Sequence, residues 1–166
     1  MSGKVLILGN GFDLDLGMKT RYSDFANSDI WEQSFQDDMQ LYRPDTLLGY
    51  LNKEKEKNAW FDIEQSMLNY VTNKKNEYGI PDNDINDDKK SFRKLCHALS
   101  MYLKHVQTYY SQRKNNVAVE VLKAVAANGY FRSIYTFNYT NLRQIASDNG
   151  ITLGEANIMH VHGSLA

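Results

Sequence analysis

Short apolar runs near both ends of the chain enclose a long stretch with helical spacing. Residues 5–8 (Val-Leu-Ile-Leu) form the first run, directly before Gly9. A run of this length predicts a buried strand of a parallel sheet that is covered on both faces. Strand composition, rich in β-branched and aromatic side chains, returns at residues 133–137 and again at 157–161. The pattern therefore predicts one strand at the start of the chain and two near its end.

Apolar side chains recur every three or four residues over most of the intervening sequence, which predicts amphipathic helices. The predicted helices cover residues 29–42, 60–70, 91–113, 117–127 and 139–148. Residues 73–90 are turn-rich and acidic and predict a surface loop. Strands at both ends with helices between them predict a single α/β domain over residues 1–166, with a helical insertion at about residues 29–128.

The turn after the first strand, Gly9-Asn10-Gly11, has the composition of a nucleotide-binding turn. Glycine lets the backbone turn sharply and approach a ligand closely, because it carries no Cβ. If a helix follows, its first N–H groups and its dipole favour a phosphate or pyrophosphate. Leu14 occupies the position of the third glycine of the dinucleotide fingerprint, and the charge of Asp13 would repel a phosphate unless it has another task. A structural turn that only ends the strand is the alternative.

All three predicted strands end in polar residues that suit a binding site. The first ends in Gly9-Asn10-Gly11, the second in Asn138-Tyr139-Thr140 and the third in residues 160–163 (His-Val-His-Gly). Ligands of open parallel sheets bind beyond the carboxyl ends of the strands. If the three strands are parallel neighbours, their ends converge on one cleft.

The polar residues at these ends have structural as well as functional interpretations. Alternation along the third strand puts His160 and His162 on one face, where His162 suits catalysis or ligand contact and His160 suits packing. A metal site is not expected, because neither a cysteine nor a clear carboxylate partner accompanies the histidines. Asn138 can donate and accept hydrogen bonds together, which suits orienting a sugar hydroxyl or an attacking water. Its alternative role is the N-cap of a helix that begins at Tyr139.

One carboxylate is predicted on an apolar helix face. Glu64 falls on the same face as Trp60, Met67 and Val71. A carboxylate in that position is costly unless it is paired or solvated. Glu64 therefore forms an ion pair or caps the helix, or it lines a polar pocket.

The charge balance, the single cysteine and the short apolar runs limit the partners and the compartment that we expect. Lysine and arginine number 19 and aspartate and glutamate 20, so no excess of one sign predicts binding to nucleic acid or to an anionic membrane. The one cysteine, Cys96, cannot form an internal disulfide, which suits a reducing compartment. No apolar run approaches the roughly 20 residues of a membrane span, and the N-terminus has no signal-peptide pattern. We therefore expect a soluble cytoplasmic protein.

Four blocks of the sequence resemble the AbiH family of bacterial phage-defence proteins, which act by abortive infection. The blocks are NGFDLDLGMKTRYSDF at residues 10–25, WFDIE at 60–64, TFNYT at 136–140 and HVHGSL at 160–165. They follow the order of the family and span nearly the whole chain, and the first and last are the most specific. The resemblance implies a role in phage defence.

The same chain is similar, more distantly, to SIR2-like proteins, which bind NAD. Gly9-Asn10-Gly11 matches the Gly-Ala-Gly turn of that family, and Gly17 matches a second glycine eight residues after Gly9. Asn138 stands at the position of a strand-end asparagine, and His162-Gly163 at that of the catalytic His-Gly pair. The resemblance implies a Rossmann-like, SIR2-like parallel sheet. Because both families continue with further strands after the His-Gly pair, it also implies a sheet truncated at the C-terminus.

Three positions depart from the SIR2-like pattern. Asp13 replaces a small residue, often serine, and Lys19 replaces a proline. Thr140 replaces the aspartate that usually follows the strand-end asparagine by two positions. Zinc-ribbon cysteines are also missing from the sequence. The resemblance therefore implies hydrolytic use of NAD, as in SIR2-like defence proteins, rather than deacylation.

The resemblance implies catalytic roles for three residues. His162 is the general base, Asn138 orients the ribose or the attacking water, and Asp13 stabilises positive charge on the ribose as nicotinamide leaves. Glu64 is the second candidate for that carboxylate. The implied nucleotide contacts are Gly9, Asn10, Gly11, Phe12, Gly17, Tyr22 and Gly163. NAD is expected as substrate or ligand, without a metal.

The predicted function is phage defence by binding NAD or a related nucleotide and hydrolysing NAD to nicotinamide and ADP-ribose. One alternative is a nucleotide-binding sensor without turnover. Another is an interaction protein, whose function would depend on the apolar stripe of Phe92, Leu99 and Val106 rather than on His162. Besides the nucleotide, the expected partners are a phage component or a second copy of the chain.

Overall fold

The computed structural model describes residues 4–43, 45–57, 61–78, 82–110, 116–128 and 131–165. In chain order the elements are β1 (Lys4–Leu8), α1 (Asn10–Leu16), α2 (Tyr22–Ala26), α3 (Asp29–Phe35), a 3₁₀ helix (Met39–Tyr42), α4 (Leu47–Lys57), α5 (Ile63–Tyr78), α6 (Asp82–Tyr109), α7 (Val117–Asn128), β2 (Phe131–Thr136), α8 (Leu142–Asp148) and β3 (Asn157–His160). The predicted α/β class is confirmed.

The chain divides into two compact units. The sheet unit comprises Met1–Thr20 and Leu103–Ala166, and the helical unit comprises Arg21–Tyr102. The helical unit thus lies within the predicted insertion except at its start. The prediction of a single domain stays a prediction.

The sheet unit is built on three parallel strands in the order β1-β2-β3. Leu8 pairs with Thr136, and Thr136 pairs with His160. The alignment continues for one residue, because Phe137 N donates to Leu8 O (2.9 Å) and Val161 N donates to Thr136 O (2.9 Å). The three strands therefore end side by side, and the predicted convergence of their carboxyl ends is confirmed.

One face of this sheet carries the hydrophobic core of the sheet unit. Its buried side chains come from the strands and from α1, α7 and α8, and they include Leu8, Leu16, Leu122, Ile134, Leu142 and Ile145. On the opposite face, Val5 is 53% exposed and Ile7 is 67% exposed. For the described residues, the prediction that β1 is covered on both faces is therefore wrong. Right-handed connections explain the difference, since two successive steps in one direction across a sheet put both sets of helices on one face.

The helical unit has an aromatic core of its own. Phe25, Trp31 and Phe35 are almost fully buried. The ring centroids of Phe25 and Trp31 lie 5.3 Å apart and those of Trp31 and Phe35 4.8 Å apart, both edge to face. Lys55 Nζ lies 5.0 Å from the centroid of the Trp31 ring and donates a hydrogen bond to Ala26 O (3.2 Å). These contacts hold α2, α3 and α4 together.

The segment predicted as a surface loop, residues 73–90, is helical wherever the structure describes it. α5 continues to Tyr78, and α6 begins at Asp82 rather than at Ser91. Aspartate and asparagine predict turns, but they are also favoured at helix starts. At its other end α6 stops at Tyr109, and the predicted extension over 111–113 lies outside the described residues.

The helix predicted over residues 29–42 is interrupted. α3 ends at Phe35, and the 3₁₀ helix begins only at Met39. Between them, the side chain of Asp38 accepts a hydrogen bond from Gln40 N (3.1 Å). Asp38 is therefore the N-cap of the 3₁₀ helix, and a separate element begins there.

α5, predicted over residues 60–70, begins at Ile63, and residues 58–60 lie outside the described residues. Among the α5 side chains that the structure describes, Ile63 and Tyr70 are buried, whereas Glu64 is exposed. The face that carries Glu64 is therefore not the buried face. Apolar spacing marks a helix correctly here, but it does not identify which side meets the core.

The apolar stripe considered for a protein partner lies on α6. Phe92 is 46% exposed, whereas Leu99 and Val106 are half-buried. Val106 packs against the core of the sheet unit. Part of the stripe therefore serves the packing of the protein itself. Across the ranges that the structure describes, no helix combines the length and apolar character needed to cross a membrane.

Replacing Ile134 by alanine is expected to lower the free energy of unfolding by about 2–5 kcal/mol, because this side chain is fully buried in the core. Ile7→Ala is the matched control, since it removes the same atoms from the exposed face of the neighbouring strand, and it should cost less than about 1 kcal/mol. Urea-induced unfolding of the two variants measures the difference. Equal losses would contradict a sheet buried on one face.

Candidate functional site

The turn Gly9-Asn10-Gly11 joins β1 to α1. Gly9 is the N-cap residue of α1 in an extended conformation (φ −118°, ψ −179°), and its carbonyl accepts a hydrogen bond from Phe12 N (2.9 Å). A Cβ added at Gly9 or Gly11 would meet no described atom within 4 Å. Packing therefore does not require glycine at either position, and the space beside the turn is open to a ligand. The side chain of Asn10 accepts a hydrogen bond from the Thr20 hydroxyl (2.5 Å).

Gly17 ends α1 with a φ of 96°, in the left-handed region that favours glycine. Its N–H donates to Leu14 O (3.1 Å), and Met18 N donates to Asp13 O (3.0 Å). These two bonds satisfy carbonyls that the end of the helix leaves without partners. Gly17 therefore caps the C-terminus of α1, and its contact with a nucleotide stays a prediction.

Asp13 lies in the first turn of α1 and is 1% exposed. Its Oδ1 accepts from Asn138 Nδ2 (2.9 Å), and its Oδ2 accepts from Thr140 Oγ1 (2.9 Å), which also lies 3.1 Å from Oδ1. Burial raises the pKa of Asp13 to about 6, and the hydrogen bonds from Thr140 and Asn138 oppose that rise. The carboxylate thus faces into the protein, where side-chain donors replace water.

Asn138 connects all three strand ends. Its Nδ2 donates to Gly9 O (3.1 Å) as well as to Asp13, which joins the loop after β2 to the turn after β1. Its backbone N–H donates to Thr136 Oγ1 (3.1 Å), at the end of β2. Its backbone carbonyl lies 3.1 Å from His160 Nδ1, at the end of β3. The convergence predicted from the sequence is therefore made by direct contacts of one asparagine.

The alternative role of Asn138, the N-cap of a helix beginning at Tyr139, is wrong. α8 begins at Leu142, and Asn141 is its N-cap residue. The side chain of Asn141 accepts a hydrogen bond from Gln144 N (3.1 Å). Asn138 instead lies in the loop between β2 and α8.

His162 is exposed and follows β3, which ends at His160. The alternation of the strand therefore does not extend to His162. Its ring lies edge-on to those of Phe137 (centroids 5.4 Å apart) and Tyr139 (6.1 Å). Gly163 follows with a φ of 96°, and the chain then returns to the loop after β2, where Leu165 N donates to Tyr139 O (2.9 Å).

A family model described as "Bacteriophage abortive infection AbiH" matches residues 5–166. The chain belongs to the AbiH family. Membership supports a role in phage abortive infection, and the AbiH match includes the glycine turn, Asn138 and the His162-Gly163 pair. No curated protein and no solved structure matches the chain. The SIR2-like character of the sheet therefore stays a prediction.

Two predicted site residues of this AbiH protein lie in the helical unit. The hydroxyl of Tyr22 donates to Glu64 Oε1 (2.5 Å), so the two side chains are partners.

Phe12, another predicted nucleotide contact, belongs to the sheet unit, where it is half-buried and packs against the core. Nucleotide contacts by Tyr22 and Phe12 stay predictions. Among the described residues, no three His, Cys, Asp or Glu side chains form a group that could hold a metal ion.

The contribution of Thr140 to the AbiH site is not apparent from local sequence. Asp13 and Thr140 each depart from the SIR2-like pattern, which has a small residue, often serine, at the first position and aspartate at the second. The side chains of Asp13 and Thr140 are hydrogen-bonded to each other. Their joint departure from the pattern that the sequence resembles is therefore the signal that could have linked the two positions.

Asp15 has a structural role that the local sequence does not indicate. Its Oδ2 accepts a hydrogen bond from Ala118 N (2.8 Å), in the first turn of α7. A carboxylate there satisfies an N–H that has no partner within the helix and favours the positive end of the helix dipole. Asp15 therefore fixes α1 to α7 on one side of the helix, while Asp13 fixes α1 to the loop after β2.

Asp13 should make the stability of the protein depend on pH. The pKa of Asp13 is about 6 in the folded protein, compared with an ordinary value of 3.8. Between these two pH values the folded state therefore binds more protons than the unfolded state. The free energy of unfolding should therefore fall by about 3 kcal/mol as the pH rises from 4 through 6. Asp13→Asn should remove this fall, as measured by urea unfolding across that range.

The matched control for that measurement is Asp15→Asn on the same helix, which should retain the fall. Retention of the full fall by the Asp13→Asn variant would assign it to another group and contradict the buried carboxylate as its source.

Proposed function

We propose that this AbiH protein binds NAD or a related nucleotide at the carboxyl end of its sheet and hydrolyses NAD to nicotinamide and ADP-ribose during abortive infection. The observation that carries the proposal is the set of contacts made by Asn138. It reaches Gly9 and Asp13 after β1 and His160 at the end of β3. The three polar strand ends therefore lie together at the carboxyl edge of the sheet, which is where open parallel sheets bind ligands.

The glycine turn suits the pyrophosphate of such a ligand. Gly9 and Gly11 are exposed, and no described atom fills the space where their side chains would be. The first N–H groups of a helix have no carbonyl one turn earlier to bond, so the amides of Asn10 and Gly11 can donate to phosphate oxygens. Asp13, which would oppose an anion from the same turn, directs both carboxylate oxygens inward to Asn138 and Thr140.

His162 suits the role of general base. The imidazole is exposed, and the rings of Phe137 and Tyr139 pack against it edge-on and restrict its orientation. Histidine is the side chain that serves most often as a general base in proteins, which matches this role. Hydrolysis breaks the bond between ribose carbon and nicotinamide nitrogen, whose electron pair leaves with nicotinamide. Water forms the new carbon–oxygen bond, and its proton passes to His162.

One observation favours a second candidate, a nucleotide-binding sensor without turnover. The carboxylate of Asp13 is 1% exposed and bonded inward. A buried, hydrogen-bonded carboxylate is poorly placed to stabilise charge on a ligand. A sensor would need the glycine turn and Asn138 but not the chemistry of His162.

Incubation of the purified chain with NAD tests the proposal, with nicotinamide release followed by chromatography. His162→Ala should lower the rate by about 10²–10⁴-fold, the usual contribution of a general base. His97→Ala, which removes another exposed histidine, should leave the rate unchanged.

Thermal melting with NAD separates the two candidate functions. A rise in melting temperature without nicotinamide release would favour the sensor. If NAD caused no nicotinamide release and no melting shift, that result would contradict nucleotide binding itself.

A further inference from the structure

The neighbours of the Asn138 side chain fix the orientation of its amide. Nδ2 lies 3.1 Å from Gly9 O and 2.9 Å from Asp13 Oδ1. A backbone carbonyl and an ionised carboxylate are both acceptors, so only the NH₂ end of the amide can face them. The two N–H groups of Asn138 are thereby both used within the protein.

Although Asn138 as a whole is 6% exposed, its Oδ1 is the side-chain acceptor that these two contacts leave available to a ligand. Among the hydrogen bonds of the described residues, this side chain takes part only through Nδ2. A side-chain carbonyl accepts hydrogen bonds and cannot donate them. It would repel a phosphate oxygen and attract a hydroxyl group or a water molecule.

Asp13 cannot meet a ligand without losing these contacts. It is 1% exposed, Thr140 Oγ1 lies within 3.1 Å of both carboxylate oxygens, and Asn138 Nδ2 contacts one of them. The hydroxyl of Thr140 belongs to the same loop as Asn138, so both donors to the carboxylate come from the loop after β2. Asp13 therefore acts on the cleft through Asn138.

We infer that Asp13 and Thr140 are positioning residues, which hold Asn138 so that its side-chain carbonyl is the atom presented to the ligand. The identity of the ligand rests on the proposed function. With NAD, Asn138 receives a hydrogen bond from a ribose hydroxyl or from the attacking water, and the pyrophosphate binds at the glycine turn instead. Asp13 stabilises no charge on the substrate, in contrast to its role implied by the resemblance.

Two substitutions at one position separate positioning from direct electrostatic action. In Asp13→Asn, the new side-chain oxygen can still accept from Asn138, and its NH₂ group can donate to the Thr140 hydroxyl. Asp13→Leu has a similar size and removes both contacts. Positioning predicts a rate of NAD hydrolysis within about threefold of the original for Asp13→Asn, and a loss of about a hundredfold for Asp13→Leu. Equal losses in the two variants would overturn the inference, because they would show that the negative charge is required.

The Asn138 side-chain NH₂ signal in an ¹⁵N NMR spectrum of the free protein gives a second readout that needs no catalysis. Slow exchange of these protons with solvent is expected in the original chain and in Asp13→Asn, and faster exchange in Asp13→Leu. If Asp13→Leu does not fold, Thr140→Val removes only the hydroxyl and should increase the exchange to a smaller extent. Fast exchange in the original chain would overturn the inference.

The same spectra separate this inference from the proposed function. NAD should shift the Asn138 side-chain signal, whereas inorganic pyrophosphate should shift the backbone amides of the glycine turn and leave Asn138 unchanged. A pyrophosphate-induced shift of the Asn138 signal equal to that with NAD would contradict the acceptor role. If NAD binds nowhere and is not hydrolysed, the proposed function fails, and the proton exchange of Asn138 still tests the positioning.

Discussion

The buried carboxylate of Asp13 is the constraint on which the contacts between the strand ends depend. A charge removed from water is stable only where donors replace the water. Asn138 and Thr140 supply those donors across 125 and 127 residues of sequence. The same bonds fix the glycine turn after β1 to the loop after β2, and His160 extends the connection to β3. Because burial raises the pKa of Asp13 to about 6, the ionised form persists at neutral pH at a cost in stability, which the core on one face of the sheet must offset.

Local sequence predicted the strands and their shared edge, because short apolar runs and the polar residues that follow them are neighbours in sequence. It did not predict what Asp13 does. A charge at the start of a helix indicates a possible conflict with phosphate, but the donors that resolve the conflict lie in the last third of the chain. Asn138 and Asn141 illustrate the same limit. Either asparagine suits an N-cap. Asn141 is the cap because its side chain accepts a hydrogen bond from Gln144 N, whereas the side chain of Asn138 makes a tertiary contact with Gly9 O.

The errors in the rest of the fold have similar causes. The apolar run of β1 predicts a strand, but the number of covered faces depends on the direction of the later crossovers, and Ile7 is left exposed. Residues 73–90 contain the amino acids of turns, which are also those of helix starts, and most of that segment is helical. The spacing of apolar residues in α5 predicts the helix, yet the choice of Ile63 and Tyr70 as its buried side comes from the neighbours that it meets. The spacing of apolar residues therefore identifies most of the strands and helices, but contacts between elements determine which face of each is buried.

AbiH membership connects the chain to phage abortive infection, and the contacts between the three strand ends are the physical basis for proposing a nucleotide as its ligand. In the proposed function, the glycine turn donates to the pyrophosphate, Asn138 accepts a hydrogen bond from the ligand, and His162 is the base. A crystal structure of the chain with bound ADP-ribose is the most direct test of this arrangement. It should place the pyrophosphate against Gly9 and Gly11, with a ribose hydroxyl donating to Asn138 Oδ1. ADP-ribose bound away from the strand ends, or Asn138 turned to present its nitrogen to the ligand, would contradict it.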